Sequence, residues 1–104
     1  MNANDLTFGI EIETIAPDSA VRQSGLRIGP YRRGIQVPYL PAGWKAEADG
    51  SIDNGHGGHR CEIVSPVLQG EEGLRRVIEV LRTLEAKGHR VNASCGVHVH
   101  VGWN

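Results

Sequence analysis

Residues 94–102, SCGVHVHVG, alternate valine with histidine: Val97, Val99 and Val101 against His98 and His100. Successive side chains of a β-strand point to opposite faces, so the pattern predicts a strand over about 96–102. Its back is all valine and its front carries two imidazoles. Residues 8–14, FGIEIET, repeat the rhythm with acids. A strand over 6–14 would turn Ile10 and Ile12 into a core and leave Glu11 and Glu13 together on the other face. Two carboxylates side by side repel unless a positive group sits beside them. On an open surface water and salt would screen them, and nothing would follow. A strand with an apolar back and two imidazoles in front is uncommon as mere surface, and it points to a shared site.

The chain around these strands is short. With 104 residues it has room for one domain with a single core. Its formal net charge of -1 gives no bulk field for nucleic acid or an anionic membrane. No apolar run is long enough to span a bilayer. The first residues, MNANDLTFGIEIE, lack the basic and apolar regions of a signal peptide. Two cysteines, Cys61 and Cys95, fit free thiols in a cytoplasmic protein, with a single disulfide as the alternative.

The remaining elements follow from periodicity and punctuation. Segment 16–43 holds four prolines and several glycines and reads as a long irregular loop. It has room for a short helix capped by Asp18 and stopped at Gly25. Its arginines Arg22, Arg27, Arg32 and Arg33 could face an anion or only water. Residues 44–48 alternate, with Trp44, Ala46 and Ala48 opposite Lys45 and Glu47, and Asp49-Gly50 marks a turn. Residues 54–58, NGHGG, read as a flexible loop. Residues 61–64 form a short strand ended by Ser65-Pro66. Residues 71–87 are the clearest helix, with Leu74, Val77, Ile78, Leu81 and Leu84 as one apolar stripe. Pairs Glu71–Arg75 and Glu72–Arg76 stand at i,i+4, and Gly88 is a natural stop. The fold class expected is α+β, a mainly antiparallel sheet with one long helix across a face.

If the acid, Glu62 and histidine strands share a sheet, one face carries Glu11, Glu13, Glu62, His98 and His100. Strand parity puts Cys61 and Cys95 on the other side, as small core residues. Three carboxylates with one or two imidazoles suit Mg²⁺ or Mn²⁺ better than a thiolate-rich zinc site would. Such ions bridge nucleotide phosphates and offset charge in phosphoryl transfer. His56, His59 and His89 fall in glycine-rich or helix-end loops and read as solvent-exposed.

These motifs together resemble the amidoligase family, carboxylate–amine ligases related to glutamine synthetase and glutamate–cysteine ligase. The resemblance rests on FGIEIE at 8–13, W-x-x-x-x-DGSI at 44–52, CEIVSPVL at 61–68 and VNASCGVHVHVG at 91–102, in that order. It implies a curved antiparallel sheet, like the first half of a glutamine synthetase-type catalytic domain, that holds Mg²⁺ around the phosphates of ATP. It implies a reaction in which ATP activates a small-molecule or peptide carboxylate as an acyl phosphate, which an amine then attacks. By the same resemblance Glu11 and His98 share one metal, Glu13 and Glu62 share its neighbour, and His100 faces the nucleotide phosphates. Asp49 and Ser51, in the D-G-S turn, are the candidate catalytic pair near substrate; a plain hairpin turn is the alternative. Family members are longer, so residues 1–104 are expected to be one incomplete domain, with 16–43 as a loop insertion and a partner chain or self-association completing the sheet. Two other readings compete with an ATP-dependent ligase. One is a non-catalytic divalent-metal or assembly module built on the same face. The other is a cupin-type iron or zinc site, which wants a glutamate soon after H-x-H; Val101-Gly102-Trp103-Asn104 supplies none.

Overall fold

The isoleucine–glutamate alternation becomes β1 (Thr7–Ala16), the strand on which the domain is built. It pairs antiparallel with β4 (His59–Val64), β5 (Leu68–Gln69) and β6 (Val97–Val101). Glu11 is the register partner of both Val64 and His98, so β4 and β6 flank β1 on opposite sides. Phe8 likewise partners both Leu68 and Val101, which places β5 further along the β4 side. Beyond β4 lies β3 (Lys45–Glu47), and beyond that β2 (Ile35–Gln36). The result is an open antiparallel sheet of six strands with a helix of 17 residues, α2 (Gly70–Ala86), and the α+β class read from the sequence is what the chain adopts. This computed structural model describes residues 3–52 and 57–102. His56, most of the 54–58 loop, Trp103 and Asn104 lie outside the described residues.

The core lies between α2 and one face of the sheet. Phe8, Ile10 and Ile12 of β1, Ala46 of β3, Cys61 and Ile63 of β4, and Trp44 just before β3 pack against Val77, Val80 and Leu84. Segment 16–43 is largely irregular, as expected, yet it is not merely a surface excursion. Leu26, Val37 and Leu40 are buried in the same core, and the segment carries α1 (Asp18–Arg22) and β2. Asp18 is the first helical residue rather than the cap; Pro17 holds the cap position, and the Asp18 carboxylate pairs with His59 at 2.7 Å.

α2 departs from its predicted stripe. The buried seam is Gly73, Val77, Val80 and Leu84, whereas Leu74, Ile78 and Leu81 are 57%, 50% and 43% exposed. The apolar stripe is wider than the contact it makes, and half of it looks outward. The valines of β6 share that fate: Val97, Val99 and Val101 are 56%, 58% and 69% exposed, not the core face their alternation suggested. β6 lies at the sheet margin, and α2 packs against β5, with Gly73 closing on Leu68 and on the Phe8 ring. Together Leu74, Val77, Val99 and Val101 wall an apolar groove floored by Phe8 and Ile10. Of the predicted surface pairs on α2, Glu72–Arg76 is present; Glu72 also meets Arg75, and Arg76 also meets Glu79. Being exposed, such pairs are each worth at most a few tenths of a kcal/mol, roughly 0.2–0.5.

The end of α2 is built as expected. Gly88 takes φ +85°, the left-handed conformation that glycine adopts freely. Its N–H bonds the Glu85 carbonyl and the His89 N–H bonds the Leu84 carbonyl, both at 3.0 Å. This turn drives His89 inward rather than into water. Its Nδ1 lies 2.8 Å from the Thr14 hydroxyl and its Nε2 2.6 Å from the Tyr39 hydroxyl. The reading of His89 as a solvent-exposed loop residue is therefore corrected; the His59 side chain is 39% exposed, as expected, but it sits at the start of β4 rather than in a loop.

Candidate metal centre

Opposite residues on neighbouring antiparallel strands share a face, with strands about 4.8 Å apart. The register makes Glu13 on β1 the partner of Glu62 on β4, and Glu62 the partner of Glu47 on β3. Three carboxylates thus stand in a row straight across three strands. All three are buried, at 7%, 6% and 9% exposure. Asp49 joins them from the turn after β3. The Ser51 N–H and hydroxyl both donate to Asp49 Oδ1, at 2.9 and 2.6 Å, and the hydroxyl also reaches Glu13 Oε2 at 3.4 Å. One oxygen each of Glu13, Asp49 and Glu62 lies within 4.8 Å of the others. On the β6 side Glu11 stands opposite His98 in register, while its carboxylate Oε1 meets His100 Nε2 at 2.6 Å.

Among the described residues no buried side-chain nitrogen or oxygen lacks a partner. Glu13 accepts from the Ser51 hydroxyl, and Glu62 hydrogen-bonds with Glu11 and Asp49, which between acids needs a proton on one of them. Burial pushes the Glu62 carboxyl up to about 9, reinforced by hydrogen bonds to Glu11 and Asp49 and by their charges. Glu13 is raised as well, first through its hydrogen bond with Asp49 and then by burial. The same bonds act oppositely on their partners. Ser51, with Glu13 and Glu62 behind it, holds Asp49 far below the usual carboxylate range. Glu62 and the His100 imidazole keep Glu11 low. The cluster stores a proton on Glu62 that a cation would displace.

The donor set is oxygen with flanking imidazole and no thiolate, which fits a hard divalent ion. Cys61 is fully buried in the core on the far side, and burial pushes its thiol up to about 12. Cys95 does not share that setting: it precedes β6 in a turn, half-buried, in a small hollow with Glu13. Both cysteines are free.

Every site residue singled out from the sequence is on this face or at its edge: Glu11, Glu13, Glu62, His98, His100, Asp49 and Ser51. Sequence reading missed Glu47, and it did not foresee that Asp49 would stand among the carboxylates. The signal for Glu47 was present, since residues 44–48 alternate and Glu47 falls opposite buried Trp44 and Ala46. What sequence could not supply was the register that sets Glu47 beside Glu62.

A family model described as "Putative amidoligase enzyme" matches residues 4–104. The chain belongs to the amidoligase family. The match takes in β1, the turn after β3, β4 and β6, the four segments that supply the acid–imidazole face of this amidoligase-family domain. No curated protein and no solved structure matches the chain. Among the described residues, no helix is long and apolar enough to cross a membrane.

Proposed function

We propose that this amidoligase-family chain binds Mg²⁺ or Mn²⁺ together with ATP and serves the joining of a carboxylate to an amine. The observation that carries the reading is the buried Glu13–Asp49–Glu62 cluster, with one oxygen of each within 4.8 Å, in a family of amide-forming ligases. In the reaction a substrate carboxylate oxygen takes the terminal phosphoryl group of ATP and ADP leaves. An amine nitrogen then attacks the acyl carbon, phosphate departs with the bonding electrons, and the nitrogen gives up a proton. Glu13, Asp49 and Glu62 would hold one divalent ion, and Glu11 with His98 would hold another. A bound cation supplies positive charge against the phosphoryl oxygens. The chain's own residues shape the rest. Glu62 gives up its stored proton to become a ligand, and Ser51 fixes the Asp49 carboxylate. His100, at the outer margin on β6, would turn to the nucleotide phosphates.

Calorimetric titration with Mn²⁺, alone and with a non-hydrolysable ATP analogue, tests this. Mn²⁺ is expected to bind, to be required for nucleotide binding, and to bind at least about tenfold more weakly in His98→Ala. Metal binding with no effect of nucleotide would favour the non-catalytic metal module instead.

A further inference from the structure

The loop before β2 contains the one non-glycine residue with positive φ among those described, Arg32 at +64°. L side chains adopt that conformation at a cost, and such positions persist where the surroundings over-determine them. Here they do. Arg32 is the third residue of a turn closed by the Arg33 N–H on the Pro30 carbonyl at 2.9 Å, a position where glycine is usual. The turn is riveted to β3: the Gly29 N–H bonds the Ala46 carbonyl at 3.0 Å, and the Ala48 N–H bonds the Gly29 carbonyl at 2.8 Å. A Cβ on Gly29 would lie 2.1 Å from the Arg33 carbonyl oxygen, so the turn closes only on glycine. The loop is thus fixed to the strand that carries Glu47.

At its tip the Arg32 guanidinium lies 5.2 Å from the centroid of the Tyr31 ring. The two side chains share a hollow of about 300 Å³ with Glu11, Glu47 and Val64. Arg32 makes none of the ion pairs found among the described residues. A guanidinium is therefore stationed at the mouth of the carboxylate face without being consumed by it.

We propose that Arg32 is an anion-binding residue of this site, taking a phosphoryl oxygen of a polyphosphate whose other oxygens meet the cation held by the carboxylates. The carboxylates alone repel a polyphosphate. A cation at their centre offsets that repulsion, and the planar fork of a guanidinium adds directed donors matched to phosphoryl oxygens. Tyr31 supplies the face on which the guanidinium is oriented. The inference rests on the metal site proposed above, but not on the ligand being a nucleotide.

Titration with Mn²⁺ and then tripolyphosphate, repeated with ATP, tests it on wild type, Arg32→Gly and Arg32→Lys. Arg32→Gly keeps the positive φ without strain and removes the side chain with its guanidinium. It is expected to bind Mn²⁺ as tightly as wild type or more tightly, since a nearby positive charge has gone. Its Mn²⁺-dependent affinity for tripolyphosphate should fall about tenfold, with Arg32→Lys recovering only part. Equal tripolyphosphate affinity in wild type and Arg32→Gly overturns the proposal, as does a wild type that binds no tripolyphosphate in the presence of Mn²⁺. Arg32-dependent binding of tripolyphosphate without binding of ATP would defeat the ligase reading and leave this one standing.

Discussion

Replacing Glu62 by glutamine should weaken Mn²⁺ binding by at least about a hundredfold and, in the same molecule, stabilise the metal-free protein above pH 5. Both effects have one origin. Glu62 stands at the centre of the carboxylate row, and burial, with Glu11 and Asp49 alongside, raises its carboxyl to about 9 from 4.5. The folded chain therefore holds a proton on Glu62 that the unfolded chain releases across that whole window. Stability from this group is complete below pH 4.5 and is lost as pH rises toward 9. Glutamine resembles the protonated acid in shape and carries no charge, so that loss should vanish. It also cannot become an anionic ligand. In wild type, Mn²⁺ must expel the proton, so its affinity should rise up to about tenfold per pH unit until the carboxyl is ionised. Thermal unfolding from pH 5 to 9, with and without Mn²⁺, reads both. A metal-free wild type that is equally stable at both ends of that range, or a variant that keeps wild-type affinity, would remove Glu62 from the centre of the site.

The second large effect runs the other way along the pH axis. Burial lowers the His89 imidazole to about 4 from 6.5, while its nitrogens are engaged by Thr14 and Tyr39. Here the unfolded chain binds the proton more readily. Stability from this group is complete above pH 6.5 and is lost as pH falls toward 4. Because the ring is only partly shielded from water, the loss is put at about 2–3 kcal/mol. His89→Phe keeps the ring, removes the titration and strands the hydroxyls of Thr14 and Tyr39, at a cost of about 1–3 kcal/mol at pH 8. Urea unfolding at pH 5 and pH 8 separates the two: the variant should start lower at pH 8 and fall less at pH 5. An unchanged acid-side slope would show that His89 is not the group responsible. Taken with Glu62, the metal-free protein should be most stable in a mildly acidic to neutral range.

Much of this was readable before any coordinates. Alternation placed Ile10 and Ile12 in the core and Glu11, Glu13, Glu62, His98 and His100 on one face, because period two and the strand pleat are the same fact. Gly88 stopped the helix for a local reason that needs no tertiary context. What failed depended on neighbours. Val97, Val99 and Val101 do lie on the helix side of the sheet, but alternation reports which face a residue occupies and not whether anything covers it. Leu74, Ile78 and Leu81 are apolar at helical spacing, yet only one flank of α2 meets the sheet. His89 lies in a helix-end loop by sequence, and it is half-buried because a Schellman turn aims it at Thr14 and Tyr39, 75 and 50 residues away in the chain. Glu47 became part of the site only once β3 was set against β4 in a definite register.

The position of β6 bears on how the site would respond to a divalent ion. Among the described residues β6 pairs with β1 alone, through partners from Phe8↔Val101 to Ile12↔Val97, whereas β1 and β4 are each hydrogen-bonded on both sides. The strand that carries both histidines thus has a single neighbour, as β2 and β5 do, and it should open locally at a free energy well below that of global unfolding. A cation that joins its imidazoles to the carboxylates of β1 would tie a loose margin to a rigid centre, and the binding energy would appear as resistance to local opening. The amides of Val97–Val101 should therefore exchange with solvent deuterium early in the metal-free protein and markedly later in Mn²⁺, while those of β4 barely change. The histidine strand would then act as a tether that its own ligand tightens.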